Sequence, residues 1–373
     1  MAATQEALYG ELDLELSWSE QQLPERERTK HVHRLHPYLG KFVPQLVEAL
    51  LGRYVAAGGR VLDPFAGSGT TLVQALESGH DAVGVDVAAF NALLLSVKTA
   101  PHDLETLTAE LDGLRERVEG FEPRGTRVAN AYLRRWYSPA AAEELLHARA
   151  AADRLEHADV ARILVARAAR SARLTTHFDL EFPRAPQHGE YWCHKHKRTC
   201  RPVESARRFL LRYLPDTLAR IREFADVRVP GREAEVVTGD ARTLELHGPF
   251  DGVVTSPPYP GLIDYHEQHR YAYELLGLAD DRDREVGSAA RGTSRVAIEE
   301  YVEGIAAVLR NVGAALVPGA PVCIVVNDRR DLYPAILRRA GLRLDERVER
   351  HVNRRTGRRS GEYFESVLIA TRG

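Results

Sequence analysis

Residues 251–269 read DGVVTSPPYPGLIDYHEQH, an apolar strand-like run that ends on Ser256, Pro257, Pro258 and Tyr259. Neither proline can continue a sheet ladder or donate a backbone hydrogen bond. Proline pairs often simply end a strand and open a loop, so this tetrapeptide takes its meaning from its company. A binding edge at the end of a buried strand is the reading that company favours.

The companion is DPFAGSGTT, residues 63–71, between one strand-like stretch and the helix-like TTLVQALESG. Doubly wound folds place their ligands at such strand-to-helix turns. Gly67 and Gly69 bring no side chain, so the backbone can approach a ligand closely and adopt positive φ. A Walker phosphate loop would end in Gly-Lys-Ser/Thr, and no lysine stands in this turn, so phosphate is not the expected guest. Asp86 closes the next strand about 20 residues on, where such folds hydrogen-bond ribose hydroxyls. Nucleoside binding is therefore expected.

Two groups of strand-like segments must position these residues. GRVLDPF (59–65) and DAVGVDV (81–87) form one strand–helix–strand unit; AEVVTGD (234–240), FDGVVTS (250–256) and APVCIVVND (320–328) form the second group. LDERVERHV (344–352) and YFESVLIATR (363–372) read as a closing antiparallel pair. Short apolar strands alternating with helices predict an α/β fold with a largely parallel sheet covered on both faces. Between the two groups, from about residue 104 to about 226, the chain is helical in period and rich in Ala, Arg, Leu and Glu. The expected organisation is an acidic extension over 1–30, a sheet domain from 31–95 and 232–373, and a helical insertion over 96–231.

Composition bounds the class. The chain has 373 residues, 44% hydrophobic and 28% charged, with a formal net charge of −2, which excludes a uniformly basic nucleic-acid coat and leaves local patches to matter. No apolar run approaches membrane-spanning length, and the acidic start lacks the pattern of a secretory signal. Cys193, Cys200 and Cys323 cannot frame so long a chain with disulfides, which suits a reducing cytoplasm.

DPFAGSGTT and TSPPY together resemble the motifs of the S-adenosylmethionine-dependent amino-methyltransferases of DNA, which methylate N6 of adenine or N4 of cytosine. HPYLGKF (36–42), GVD (84–86) and GDA (239–241) are similar to the same family's motifs. The resemblance implies a Rossmann-like methyltransferase sheet, S-adenosyl-L-methionine as cofactor and double-stranded DNA as partner, with a cognate restriction endonuclease as a further partner it allows. Carried over residue by residue, it assigns Lys41, Asp63, Pro64, Phe65, Gly67, Ser68, Gly69, Thr70, Asp86, Asp240 and Ala241 to the cofactor. It assigns Ser256, Pro257, Pro258 and Tyr259 to catalysis on a flipped-out base. The chemistry is coherent: an exocyclic amine is a poor nucleophile, and Ser256 with the Pro257 carbonyl can accept its hydrogens while Tyr259 offers a stacking face. In this family Ser usually opens the tetrapeptide in N4-cytosine enzymes and Asp or Asn in adenine enzymes, so cytosine is the expected base. C5 methylation would need a thiolate nucleophile, and none of the cysteines lies in the reaction loop. The rivals are adenine N6 methylation, methylation of a structured RNA, and a non-catalytic nucleic-acid-binding subunit that keeps the pocket as architecture.

The helical insertion over 96–231 is the expected DNA target-recognition region, forming the far wall of the cleft, and two basic clusters complete the reading. YWCHKHKRTCRP (191–202) offers Lys195, Lys197, Arg198 and Arg201 to DNA, and NRRTGRRSG (353–361) offers Arg354, Arg355, Arg358 and Arg359; solvated charged turns are the plain alternative. Zinc in the first cluster would draw on Cys193, His194 or His196, and Cys200. The Cys-x6-Cys spacing lacks the paired Cys-x2-Cys of common zinc fingers, so no metal is expected. YHEQH (265–269) misses the His-Glu-x-x-His spacing and reads as helix. The charged, Gly- and Ser-bearing DDRDREVGSAARGTS (280–294) reads as a mobile loop near substrate.

Overall fold

The structure is a computed structural model that describes residues 16–18, 27, 29–177, 183–352 and 363–373. Helix α1 (Pro44–Tyr54) leads into β1 (Arg60–Asp63), α2 (Thr70–Glu77), β2 (Asp81–Asp86) and α3 (Ala89–Thr99). A helical segment follows: α4 (Leu104–Glu119), α5 (Ala131–Trp136), α6 (Pro139–Ala152), α7 (Ala158–Ala172), a small hairpin of β3 (Tyr191–Cys193) and β4 (Arg198–Cys200), and α8 (Arg207–Val227). The sheet resumes with β5 (Ala234–Thr238) and β6 (Gly252–Thr255), then α9 (Tyr265–Gln268), α10 (Arg270–Leu276), α11 (Arg295–Ala314), β7 (Val322–Val326), α12 (Tyr333–Ala340), β8 (Leu342–Val352) and β9 (Tyr363–Arg372).

The seven-stranded sheet has the order β5-β2-β1-β6-β7-β9-β8. β9 alone runs against its neighbours, pairing antiparallel with both β7 and β8. The expected α/β class and mostly parallel sheet with an antiparallel C-terminal pair are what the chain adopts. Period-two alternation explains how both faces are covered. Leu62, Val253, Val322 and Ile324 point into one apolar layer with Ile305 and Leu309 of α11 and Ile336 of α12. Their neighbours Val61, Val254, Cys323 and Val325 point into the other, with Leu46 and Leu50 of α1 and Leu72 of α2. Each such fully buried aliphatic contributes about 1.5–3 kcal/mol relative to exposure, so this two-faced burial fixes the strand register.

The helical segment between β2 and β5 packs into the same apolar cluster as the sheet helices: Leu111, Leu145, Leu164 and Leu210 share it with Leu76 of α2 and Leu94 of α3. Its helices begin on side-chain caps: Asp103, Asn130 and Ser138 accept backbone N–H groups at the starts of α4, α5 and α6. The hairpin β3–β4 interrupts the region that the helical period covers. The segment 280–294 is held down, since Gly261 N–H donates to Gly287 O at 2.9 Å and Ala289 N–H to Ile263 O at 3.1 Å. YHEQ forms α9, as its spacing suggested, and His269 caps its end and the start of α10. Of the acidic extension, Leu16 is buried and its carbonyl accepts from Arg350 Nε at 3.0 Å. Arg354, Arg355, Arg358 and Arg359 lie outside the described residues.

Candidate active site

The order β2-β1-β6-β7 places the topological switch point between β1 and β6, where the connections depart in opposite directions. Ligands of open α/β sheets bind outside the carboxyl ends of the strands at such a point. The turn after β1 and the Ser256–Tyr259 loop after β6 flank that crevice, with Asp86 ending β2 and Asp240 two residues beyond β5. A pocket fills it, and Lys41, Pro64, Phe65, Gly67, Ser68, Thr70, Asp86, Asp240, Ala241, Ser256 and Pro258 all line it. Four other assigned residues do not reach its lining. Asp63 lies beneath, Gly69 starts α2, Pro257 is buried, and Tyr259 leans toward Glu365 with its hydroxyl donating at 3.4 Å.

The turn is built by backbone geometry that only glycine accepts easily. Gly67 has φ +50° and Gly69 φ +80°, both in the left-handed region. A Cβ at Gly67 would meet the Tyr38 hydroxyl at 3.1 Å, and one at Gly69 would meet Leu95 Cγ at 3.1 Å. Gly69 N–H closes the turn on Ala66 O at 2.7 Å. Below it, the fully buried Lys98 donates from Nζ to the Ser68 carbonyl. Burial, and then the nearby Lys41, push the Lys98 amine well below the ordinary lysine range.

Asp86 organises the opposite wall. Its carboxylate accepts the Gly67 and Ala88 amides, each at 2.8 Å, and Asn91 Nδ2 at 3.1 Å. Burial nevertheless raises its carboxyl to about 6, against the lowering effect of those hydrogen bonds. Asp63 accepts from the Thr255 hydroxyl at 2.6 Å, tying the end of β1 to the end of β6, and burial lifts it to about 6 as well. Burial works against ionisation of Asp240, but Arg242, which grips both carboxylate oxygens, outweighs it and holds the carboxyl below its usual range. Lys41 is brought down to about 8 by burial and by Arg34, and donates to His33 O at 2.9 Å.

Ser256 is the informative residue of the reaction loop. Its hydroxyl donates to the Val325 carbonyl on β7 at 2.9 Å. The donor is thereby committed, and the oxygen offers lone pairs on the pocket side.

Several lining residues escaped the sequence reading. Tyr38 stacks on Tyr265 with ring centroids 5.6 Å apart, and its hydroxyl accepts from Asn91 at 3.2 Å. Glu285 lines the pocket while accepting the His266 amide at 3.0 Å. Tyr38 lies within HPYLGKF and Glu285 within the 280–294 segment expected near substrate, so both carried a signal; Asn91 and Tyr265 carried none. The basic hairpin is not part of this pocket. Lys195, Lys197, Arg198 and Arg201 are exposed, Arg201 paired with Glu190 at 2.8 Å. Cys193, His196 and Cys200 do converge, with His177 as a fourth member; His194 stays outside the group.

A family profile described as DNA methylase, of N6/N4 type, matches residues 8–92. The type II methyltransferase M.MjaII of Methanocaldococcus jannaschii is 35% identical over 449 aligned residues, spanning 98% of this chain and 84% of that protein. The chain belongs to the N6/N4 DNA methylase family. The type II methyltransferase M.MvaI of Kocuria varians is 31% identical over 85 residues, 22% of this chain and 19% of the relative. A methyltransferase from Pyrococcus furiosus aligns over the full length of both chains at 10% identity with a TM-score of 0.36. As a member of this DNA methylase family the chain uses S-adenosylmethionine, and its pocket fits that molecule. Asp86 can accept ribose hydroxyls, the buried Ser68 Oγ and Thr70 Oγ1 have no partner among the described residues, and Lys41 lines the pocket with an amine that can face a carboxylate. No helix among the described residues is long and apolar enough to cross a membrane.

Proposed function

We propose that this DNA methyltransferase transfers its methyl group to the exocyclic N4 amine of cytosine in a base turned out of the duplex. The observation that carries the reading is the commitment of the Ser256 hydroxyl to Val325 O: a serine whose proton is directed into the sheet presents an acceptor to an amine. Serine at the head of the tetrapeptide, which in this family usually marks N4-cytosine enzymes, favours cytosine over adenine.

When bound, S-adenosylmethionine supplies a methyl group on a sulfonium centre, activated for displacement. The chain's own part is positioning. Ser256 Oγ and the Pro257 carbonyl accept the two amine hydrogens, holding the nitrogen with its lone pair toward the cofactor side of the pocket. The two prolines keep the loop from relaxing, because neither has an N–H to draw it back into the ladder. Asp86 holds the ribose, Asp240 and Ala241 border the adenine, and Lys41 faces the methionine end. Tyr259 stacks on the base as the 280–294 segment closes one side.

Lys195, Lys197, Arg198 and Arg201 meet DNA phosphates or bases. In support, Trp192 stands 57% exposed among these cations, an arrangement of aromatic and positive charge suited to nucleic acid. A cognate endonuclease and action in the cytoplasm accord with this role.

The test is methyl transfer from labelled S-adenosylmethionine to unmethylated DNA, followed by nucleoside digestion and mass analysis. Label in N4-methylcytosine is the expected result. Label in N6-methyladenine would overturn the choice of base.

A further inference from the structure

The group formed by His177, Cys193, His196 and Cys200 lies in the hairpin region and has no part in the cofactor pocket. Four ligand atoms, one from each residue, all lie within 4.8 Å of one another. The individual contacts are more telling. Cys193 Sγ is 3.5 Å from His177 Nδ1 and 3.6 Å from His196 Nδ1, and Cys200 Sγ is 3.5 Å from His196 Nδ1. A tetrahedral ion with Zn–S of about 2.3 Å and Zn–N of about 2.0–2.1 Å requires sulfur–nitrogen edges of ~3.5 Å. Three sulfur–nitrogen pairs therefore stand at the edge lengths of a zinc tetrahedron, and the other pairs, all within 4.8 Å, need only a small side-chain adjustment to close on one ion. The rings of His177 and His196 meet edge to face, centroids 4.5 Å apart at 65°, which lets both nitrogens aim at one centre.

The local fold serves the same end. β3 and β4 pair antiparallel, Cys193 opposite Arg198 and Tyr191 opposite Cys200. The turn between them closes by Lys197 N–H to Cys193 O at 2.8 Å, with Lys197 at φ +53°. This folds Cys193-x2-His196-x3-Cys200 into three ligands on one side of the hairpin. His177 comes from the chain leaving α7, and the Tyr191 hydroxyl accepts its backbone amide at 3.2 Å, which holds the residue beside the thiols; on metal binding its Nδ1 exchanges the Tyr191 hydroxyl, 3.0 Å away, for the ion. A two-stranded ribbon of three-residue strands has little stability of its own in water, and small modules of this kind are commonly stapled by a metal.

We propose that His177, Cys193, His196 and Cys200 bind one structural Zn2+, which ties the hairpin to the chain leaving α7. Two thiols and two imidazoles match zinc better than magnesium or calcium, which take oxygen ligands, and four protein ligands leave no open position for catalysis. On binding, the two thiol protons go to solvent and two thiolates balance the charge of the ion. The sequence expectation of no metal rested on the Cys-x6-Cys spacing; His177, brought in by the fold, supplies the fourth ligand that spacing could not show.

Metal analysis of the full chain purified from zinc-supplemented culture tests this directly. About one zinc per chain is expected, falling at least tenfold in Cys200→Ser while the thermal shift with S-adenosylmethionine persists. Because that variant could misfold, the intact chain is also exchanged with Co2+. Tetrahedral d–d bands with a thiolate-to-cobalt charge-transfer band are the expected spectrum. Less than about a tenth of an equivalent of zinc with no cobalt spectrum would overturn the proposal. So would zinc content unchanged in Cys200→Ser, or thiol titration showing Cys193 and Cys200 joined in a disulfide.

Discussion

Ser256 Oγ, one residue beyond β6, gives its proton to the carbonyl of Val325 on the neighbouring strand β7 at 2.9 Å. The contact crosses the sheet just beside the switch point, so the strand pairing itself sets the orientation of the hydroxyl. A side chain placed this way can take a hydrogen bond from an amine without rearranging, and pre-set geometry of that kind is where an enzyme without a covalent intermediate gains its rate.

The pH dependence of cofactor binding follows from Asp86. Its carboxyl is lifted to about 6, chiefly by burial, above the ~3.9 of an unfolded chain. A raised folded-state value means that this group favours the fold most below about pH 4, and that the contribution fades as pH rises through 6. Asp63, lifted to about 6 by the same cause, acts in the same direction. Cofactor binding has the opposite sign, because ribose hydroxyls need the carboxylate. The thermal shift produced by S-adenosylmethionine should shrink as pH falls from 7 to 5, and Asp86→Asn should leave a small, pH-independent shift. A shift that stays full-sized at pH 5 would count against the assignment of Asp86.

Gly69→Ala should destabilise the chain by about 1–2 kcal/mol, since an L side chain at φ +80° is strained and its Cβ meets Leu95 at 3.1 Å. Because the same residue starts α2 and shapes the turn, cofactor affinity should fall at least about tenfold. Thermal unfolding and calorimetric titration would read the two effects separately.

Lys98→Met keeps much of the side-chain shape and removes the donor to Ser68 O. Global stability should change little, because an amine desolvated this completely contributes little beyond its one hydrogen bond among the described residues. The turn, however, loses its anchor from below, and cofactor affinity should weaken about five- to tenfold. Equal affinity in Lys98→Met and the parent would show that the turn holds its shape unaided.

The central strands were legible in the sequence because buried strands are continuous apolar runs bounded by turn residues, as in VCIVV of β7, and the edge strands β5 and β8 because apolar residues recur among polar ones between turn signals. The motif residues were legible for the same reason: Gly67, Asp86 and Ser256 sit at strand ends, and their types are constrained by backbone geometry or chemistry. Lys98 was not, since a lysine on an amphipathic helix reads as a solvated one until the packing over it is known. Asn91 is contributed from the flank of the pocket by tertiary packing, which has no short-range signature. The hairpin β3–β4 escaped because its three-residue strands lie in a charged run with no apolar alternation. His177 escaped with it, lying 16 residues before Cys193, beyond the reach of any local spacing rule.

The most direct test of the account is single-turnover methyl transfer to DNA by the parent and by Ser256→Ala, with cofactor affinity measured alongside. If Ser256 positions the amine, the variant should bind S-adenosylmethionine within about twofold of the parent and transfer methyl about 10²-fold more slowly. Transfer at the parent rate would contradict the claim that this serine, held by Val325, presents the reacting nitrogen.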